Sequence, residues 1–163
     1  MSLSFRSLVC TVESDSHIWN LVYLQKLLEE HGSTVRNLGC CTPIGDVLRA
    51  VAEDQPDLLV VSSVNGHGYH GVRLLLSALR SEGLGIPCVV GGKLTTAEAD
   101  NGRVGRDLLA HGCVAEFTGD DAVPRFREFL RFGMSVGFPA WQPPGSTRWG
   151  TPEAAETGVL SCI

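Results

Sequence analysis

Leu58-Leu59-Val60-Val61-Ser62-Ser63-Val64-Asn65-Gly66-His67-Gly68 is the stretch that decides the fold. An unbroken apolar run ends in two serines and a glycine-flanked turn. A strand wetted on one face alternates apolar and polar residues. A continuous apolar run is covered on both faces, the habit of parallel sheets. Ile86-Pro87-Cys88-Val89-Val90-Gly91-Gly92 repeats the pattern. Outward from these two, 7–12, 34–38 and 114–117 complete five short strands, with 57–62 and 86–90 at their centre. Segments with helical periodicity separate them. Leu21, Leu24, Leu27 and Leu28 form one stripe, closed by Gly32. Val47, Leu48, Val51 and Ala52 form a second, with Pro43 suited to its first turn. Leu74, Leu75, Ala78 and Leu79 form a third; 106–110 and 123–132 read as two more helices. Strand and helix alternate, which predicts a doubly wound, five-stranded parallel sheet of flavodoxin-like (Rossmann-type) order.

The 163 residues suit one domain. Hydrophobic residues make up 44% and charged residues 19%, enough for a core and too little charge for disorder. A net charge of −5 argues against an electrostatic grip on nucleic acid or anionic lipid. No apolar run approaches the roughly 20 residues that span a bilayer, and the first residues show no secretion signal, so the chain is expected in the cytoplasm. Six cysteines, at 10, 40, 41, 88, 113 and 162, have no zinc-module spacing and are expected as free thiols. Residues 1–132 read as the domain. Residues 133–163, with Pro143-Pro144-Gly145 and no apolar period, read as a tail that Phe138, Trp141 and Trp149 could pin.

In such a sheet, ligands sit beyond the carboxyl ends of the strands. Those loops are all polar or glycine-rich: Glu13-Ser14-Asp15-Ser16-His17-Ile18-Trp19-Asn20, then Ser62 to Gly68, then Gly91-Gly92-Lys93-Leu94-Thr95-Thr96, then Thr118-Gly119-Asp120-Asp121. Asp15-x-His17 allows an imidazole to ligate a metal while its other N–H donates to the carboxylate; taken alone, Asp-x-His is a common accident, and the plainer reading of the spacing is a capping Asp beside an exposed His. Gly91-Gly92 lets a bulky group approach the backbone, or makes a plain tight turn. Ser62-Ser63 offers hydroxyls to a ligand, or to a turn. Gly66-x-Gly68 lacks the third glycine and lysine of a phosphate loop.

Together these loops resemble the cobalamin-binding domain in its base-off, His-on form, marked by Asp-x-His-x-x-Gly, Ser-x-Leu and Gly-Gly after strands one, three and four. The matching stretches are Asp15-Ser16-His17-Ile18-Trp19-Asn20, Ser62-Ser63-Val64 and Gly91-Gly92. Within that family the likeness is nearest to the small (sigma) subunits of glutamate mutases, also called methylaspartate mutases, over about residues 5–132. The resemblance implies that His17 is the lower axial ligand of cobalt and that Asp15 holds its far nitrogen. It implies that Ser62 contacts the displaced benzimidazole, that Val64 lines its slot, and that Gly91 and Gly92 leave room for the nucleotide tail. Lys93, Leu94, Thr95, Thr96 and Ala97 would follow the tail, and Phe117 would close the slot. Ser14, Ser16, Ile18 and Ser63 flank these positions and join the implied contacts. Asn20 stands where the motif has glycine, and Val64 where it has leucine.

The resemblance further implies adenosylcobalamin as cofactor and radical chemistry on an amino acid, of the L-glutamate to 3-methylaspartate type. Substrate would sit mainly in a separate large (epsilon) TIM-barrel subunit. No catalytic residue is then expected in this chain alone. A corrinoid carrier for methyl transfer would use the same loops, but usually has a helical module before them. A member that has lost the cofactor and serves as a non-catalytic partner is another reading. A phosphoacceptor receiver needs an Asp where Ser62-Ser63 stands, and a flavodoxin needs an anion cradle where Asp15-x-His17 stands.

Overall fold

The computed structural model describes residues 4–142. Its elements run β1 (Phe5–Cys10), α1 (Ile18–Glu30), β2 (Ser33–Asn37), α2 (Ile44–Asp54), β3 (Leu58–Ser63), α3 (Gly68–Ser81), β4 (Cys88–Gly92), a 3-10 turn (Glu98–Asp100), α4 (Asn101–Ala110), β5 (Ala115–Phe117) and α5 (Ala122–Val136). All four strand pairings are parallel, in the order β2-β1-β3-β4-β5. This is the expected doubly wound sheet, and the order reverses between β1 and β3, where a ligand site is expected.

Strand alternation splits the core in two. Leu8, Cys10, Leu59, Val61, Cys88 and Val90 face α2, α3 and α4. Val9, Leu58, Val60, Val89 and Ala115 face α1 and α5, meeting Leu21, Leu28, Phe126 and Phe129. Both faces of β3 are dry, as its unbroken apolar run requires. The thiols of Cys10, Cys88 and Cys113 are buried, and burial pushes that of Cys10 up to about 12; they pack as small hydrophobes. Cys40 and Cys41 are exposed and unpaired, while Cys162 lies outside the described residues.

Several boundaries differ from the sequence reading. Gly91 and Gly92 are the last residues of β4 and not a following loop, since Ser62 and Ser63 pair with them from one side and Phe117 pairs with Gly91 from the other. Pro43 caps α2 from just outside, its carbonyl receiving the N–H groups of Asp46 and Val47. The buried face of α3 is Val72, Leu75, Leu76 and Leu79, and Leu74 is half-exposed. Gly71 sets that phase, because it lies against Val12 so closely that a Cβ would stand 2.8 Å from the valine side chain. Helix α4 begins at Asn101, ahead of the 106–110 segment. Helix α5 passes through Gly133 to Val136, so the domain does not end at residue 132; Phe138 folds back onto Gly133, where a side chain would overlap its ring. Phe138 also meets Phe5 and Phe129, and the Trp141 Nε1–H donates to the Leu109 carbonyl at 2.8 Å. Trp149 and Pro143-Pro144-Gly145 lie outside the described residues.

Candidate functional site

The loop after β1 reverses direction through the Asp15 N–H, which donates to the Val12 carbonyl, and the Asp15 carbonyl receives the Cys41 N–H at 2.7 Å. The carboxylate is thereby turned inward between the ends of β1 and β3, and Asp15 is only 1% exposed. Its Oδ1 accepts the His17 backbone N–H at 2.9 Å and lies 2.6 Å from His17 Nδ1. Its Oδ2 accepts the Ser63 hydroxyl at 2.7 Å and the Val64 N–H at 2.8 Å. Burial pushes a carboxyl upward; the donors from His17, Ser63 and Val64 outweigh it and hold Asp15 at about 2, against an ordinary 3.8. Asp15 is therefore a carboxylate at neutral pH and can only accept.

That fixes the imidazole. Nδ1 must carry a proton to bond an acceptor-only oxygen, so in the neutral ring the lone pair sits on Nε2. The side chain of His17 is 57% exposed, with its ring tethered at one nitrogen. The expected Asp-His pair thus forms, and it holds the ring in one orientation through Nδ1.

Ser63 has a definite role that sequence spacing did not reveal: it supports Asp15. Ser63→Ala is expected to cost about 1–2 kcal/mol and to raise the pH midpoint of acid unfolding, because the carboxylate loses a donor. Urea titrations and an acid titration check both. Asn65 supports the same loop by donating to the Ser14 carbonyl at 3.0 Å.

Around the pair, Ser14, Ser16 and Ile18 are exposed at the rim. Ser62 is buried at the end of β3, and Asn20 Nδ2 donates to its hydroxyl at 2.8 Å. Val64 is half-buried. Gly91 admits no side chain, since a Cβ would lie 2.8 Å from the Phe117 carbonyl oxygen. Gly92 has φ +96°, and its missing Cβ would run into the Ser63 carbonyl. These glycines are thus needed by the strand ends themselves. Phe117 is buried beside Phe126 and Phe129. Lys93, Thr96 and Ala97 are exposed and Thr95 bonds the Ala97 carbonyl, so this stretch lines the outside of the rim. Leu94 departs from it: its side chain is 1% exposed and packs in the α2/α3 core, leaving only its backbone near the rim.

A carboxylate-oriented imidazole thus stands at the switch point of a flavodoxin-like sheet, where this fold places its ligands. The chain belongs to the B12 binding domain family, which residues 6–125 match. Among relatives, it is 34% identical over 90 residues to a glutamate mutase sigma subunit of Halobacterium salinarum, covering 55% of this chain and 60% of that one. It is 28% identical over 113 residues to a glutamate mutase sigma subunit of Treponema denticola, covering 69% of this chain and 81% of that one. The methanol:cobalamin methyltransferase complex MtaBC from Methanosarcina barkeri shares the fold, with a TM-score of 0.65 at 19% identity over 82% of this chain and 48% of that one.

Proposed function

We propose that this chain is the cobalamin-binding small subunit of an adenosylcobalamin-dependent carbon-skeleton mutase of the glutamate mutase type. The single observation that carries the reading is the Asp15–His17 pair: a buried carboxylate fixes the tautomer of an exposed imidazole and leaves Nε2 to a metal. The donor set fits the cobalt of a corrinoid, to which His17 would offer one imidazole nitrogen while Asp15 holds the ring. When bound, adenosylcobalamin supplies radical chemistry through its cobalt–carbon bond. His17 would hold the cobalt, Asp15 would orient His17, and Ser62, Val64, Gly91 and Phe117 would border the tail.

The partner would be a large subunit of TIM-barrel type that holds the amino-acid substrate. Trp19, 79% exposed, and the exposed Tyr23 one turn on stand beside His17 and offer that partner an apolar edge. The sigma-subunit relatives favour the mutase over a methyl-transfer carrier. No helix among the described residues is long and apolar enough to cross a membrane.

The test is spectral and then enzymatic. The purified protein is expected to bind cobalamin with its benzimidazole displaced and histidine nitrogen on cobalt, seen by electron paramagnetic resonance of the cobalt(II) form with 15N-labelled protein. With a large mutase subunit, adenosylcobalamin and glutamate, it is expected to yield 3-methylaspartate. A complex whose cobalt keeps its benzimidazole would refute the assignment. Turnover of methyl groups without any substrate radical would transfer the chain to the carrier class.

A further inference from the structure

On the face that meets α1 and α5, the sheet carries two successive rows. The lower row is wholly apolar: Val9, Val60, Val89 and Ala115 are neighbours in register. The upper row, two residues nearer the carboxyl ends, sets Ser62 beside Gly91 and Gly91 beside Phe117. Thr11 lies two residues beyond Val9 and extends that row. Its neighbours Cys10 and Val12 both pack on the opposite face, so strand alternation turns Thr11 towards α1. Thr11 is 2% exposed, and its hydroxyl oxygen has no hydrogen-bond partner among the described residues. Thr11 also borders an open cavity of about 220 Å³ beside Val12, Ile44 and Val47 on the opposite face, while its hydroxyl oxygen is itself sealed from solvent. A buried hydroxyl without a partner is uncommon and calls for an explanation.

Asn20, in the first turn of α1, reaches down to the same row and holds the Ser62 hydroxyl at 2.8 Å. A glycine there would remove that side chain and leave the Ser62 hydroxyl free. We propose that Asn20 is a removable plug of the nucleotide-tail slot, and that Thr11 is a further tail-binding residue whose hydroxyl is satisfied only when the tail enters. The proposal rests on the cobalamin reading above. The ligand group it requires is a planar nitrogen heterocycle with its sugar and phosphate, which can offer Thr11 and Ser62 hydrogen-bonding atoms. The chain would then bind corrinoids slowly and selectively: entry must first break the Asn20–Ser62 bond, and only a tail with polar atoms repays it.

The experiment compares cobalamin with cobinamide, the same corrin without the nucleotide tail, on the full chain. Affinity and association rate are read by absorbance, and Tm of the ligand-free protein by calorimetry. Asn20→Gly and Asn20→Ala, the second keeping the helix intact, are expected to speed cobalamin association and tighten it about tenfold while leaving cobinamide unchanged. Thr11→Val is expected to weaken cobalamin about tenfold, leave cobinamide unchanged and not lower Tm, because it removes an unsatisfied hydroxyl without removing a contact. Equal changes for both corrinoids, or none for either, overturn the proposal. So does a Thr11→Val protein with a lowered Tm and both affinities reduced, which marks a merely structural threonine. A wild-type protein that binds neither corrinoid sinks the cobalamin reading itself, and this proposal with it.

Discussion

Asp15→Ala is expected to lower stability at pH 7 by about 3 kcal/mol and to reduce cobalamin affinity by roughly 10–100-fold. The carboxylate is buried, and it accepts the Ser63 hydroxyl, the Val64 N–H and two donors from His17. Deleting it leaves the Val64 N–H unpaired and the Ser63 hydroxyl with only the Asn65 Oδ1 acceptor at 3.2 Å, the orphaned donor costing on the order of 1–3 kcal/mol if water does not enter. The pH dependence has a definite sign. Asp15 is held at about 2 in the folded chain, below the ordinary 3.8. A lowered carboxyl stabilises the fold above the unfolded value and loses that stabilisation as pH falls through the folded one. The gap between wild type and Asp15→Ala should therefore be full above about pH 5 and narrow by on the order of 2 kcal/mol towards pH 2. Denaturant titrations at pH 7, 4 and 2.5 measure it. A gap that stays constant across that range means the charge contributes nothing.

The same residues show how much of the molecule was legible in its sequence. The sheet was, because burial on both faces removes the choice of which side chains can be polar: Leu58 to Val61 and Cys88 to Val90 had no other reading. Helix faces were less legible. The stripe drawn through Leu74 fails because Gly71, not a leucine, is the point where α3 touches Val12, and a glycine contact leaves no hydrophobic mark. The end of α5 was missed for a similar reason, since Gly133 looks like a stop signal until Phe138 is seen to cover it.

The site divides along the same line. Asp15 and His17 are close in sequence, so spacing allowed their pairing, and the resemblance of the loops to a known family chose it over a plain capping Asp. His17 is one of the groups that hold Asp15 as a carboxylate, but the others, Ser63 at the end of β3 and Val64 just after it, are 48 and 49 residues away, and only the β1–β3 register brings them near. Thr11 escaped notice because it carries no obvious chemistry, and it could have been found by counting two residues on from Val9 along the strand. Asn20 stood out as the residue in the motif's glycine position, but its bond to Ser62, 42 residues away, needed the fold. Leu94 was placed on the tail by its neighbours in sequence, yet an apolar side chain in a short loop between β4 and α4 finds the core first.

His17→Ala should separate binding from folding more sharply than any other substitution. The ring is more than half exposed and its one hydrogen bond goes to a carboxylate that keeps its Ser63, Val64 and His17 backbone donors. Loss of that bond is expected to change stability by only about 1 kcal/mol. The effect on corrinoid binding should be far larger. Losing the partner of a metal ligand already costs about 10–100-fold, and losing the ligand itself removes the coordinate bond, so affinity is expected to fall by more than about 100-fold. The loss should be equal for cobalamin and cobinamide, because both present the same cobalt, and the 15N coupling at cobalt(II) should vanish. Added imidazole should restore part of the binding, since the cavity left by the ring stays open to solvent and Asp15 remains in place to orient a free ring. If His17→Ala binds cobalamin as tightly as wild type, the exposed imidazole is only a capped surface residue, and the mutase reading loses the observation on which it stands.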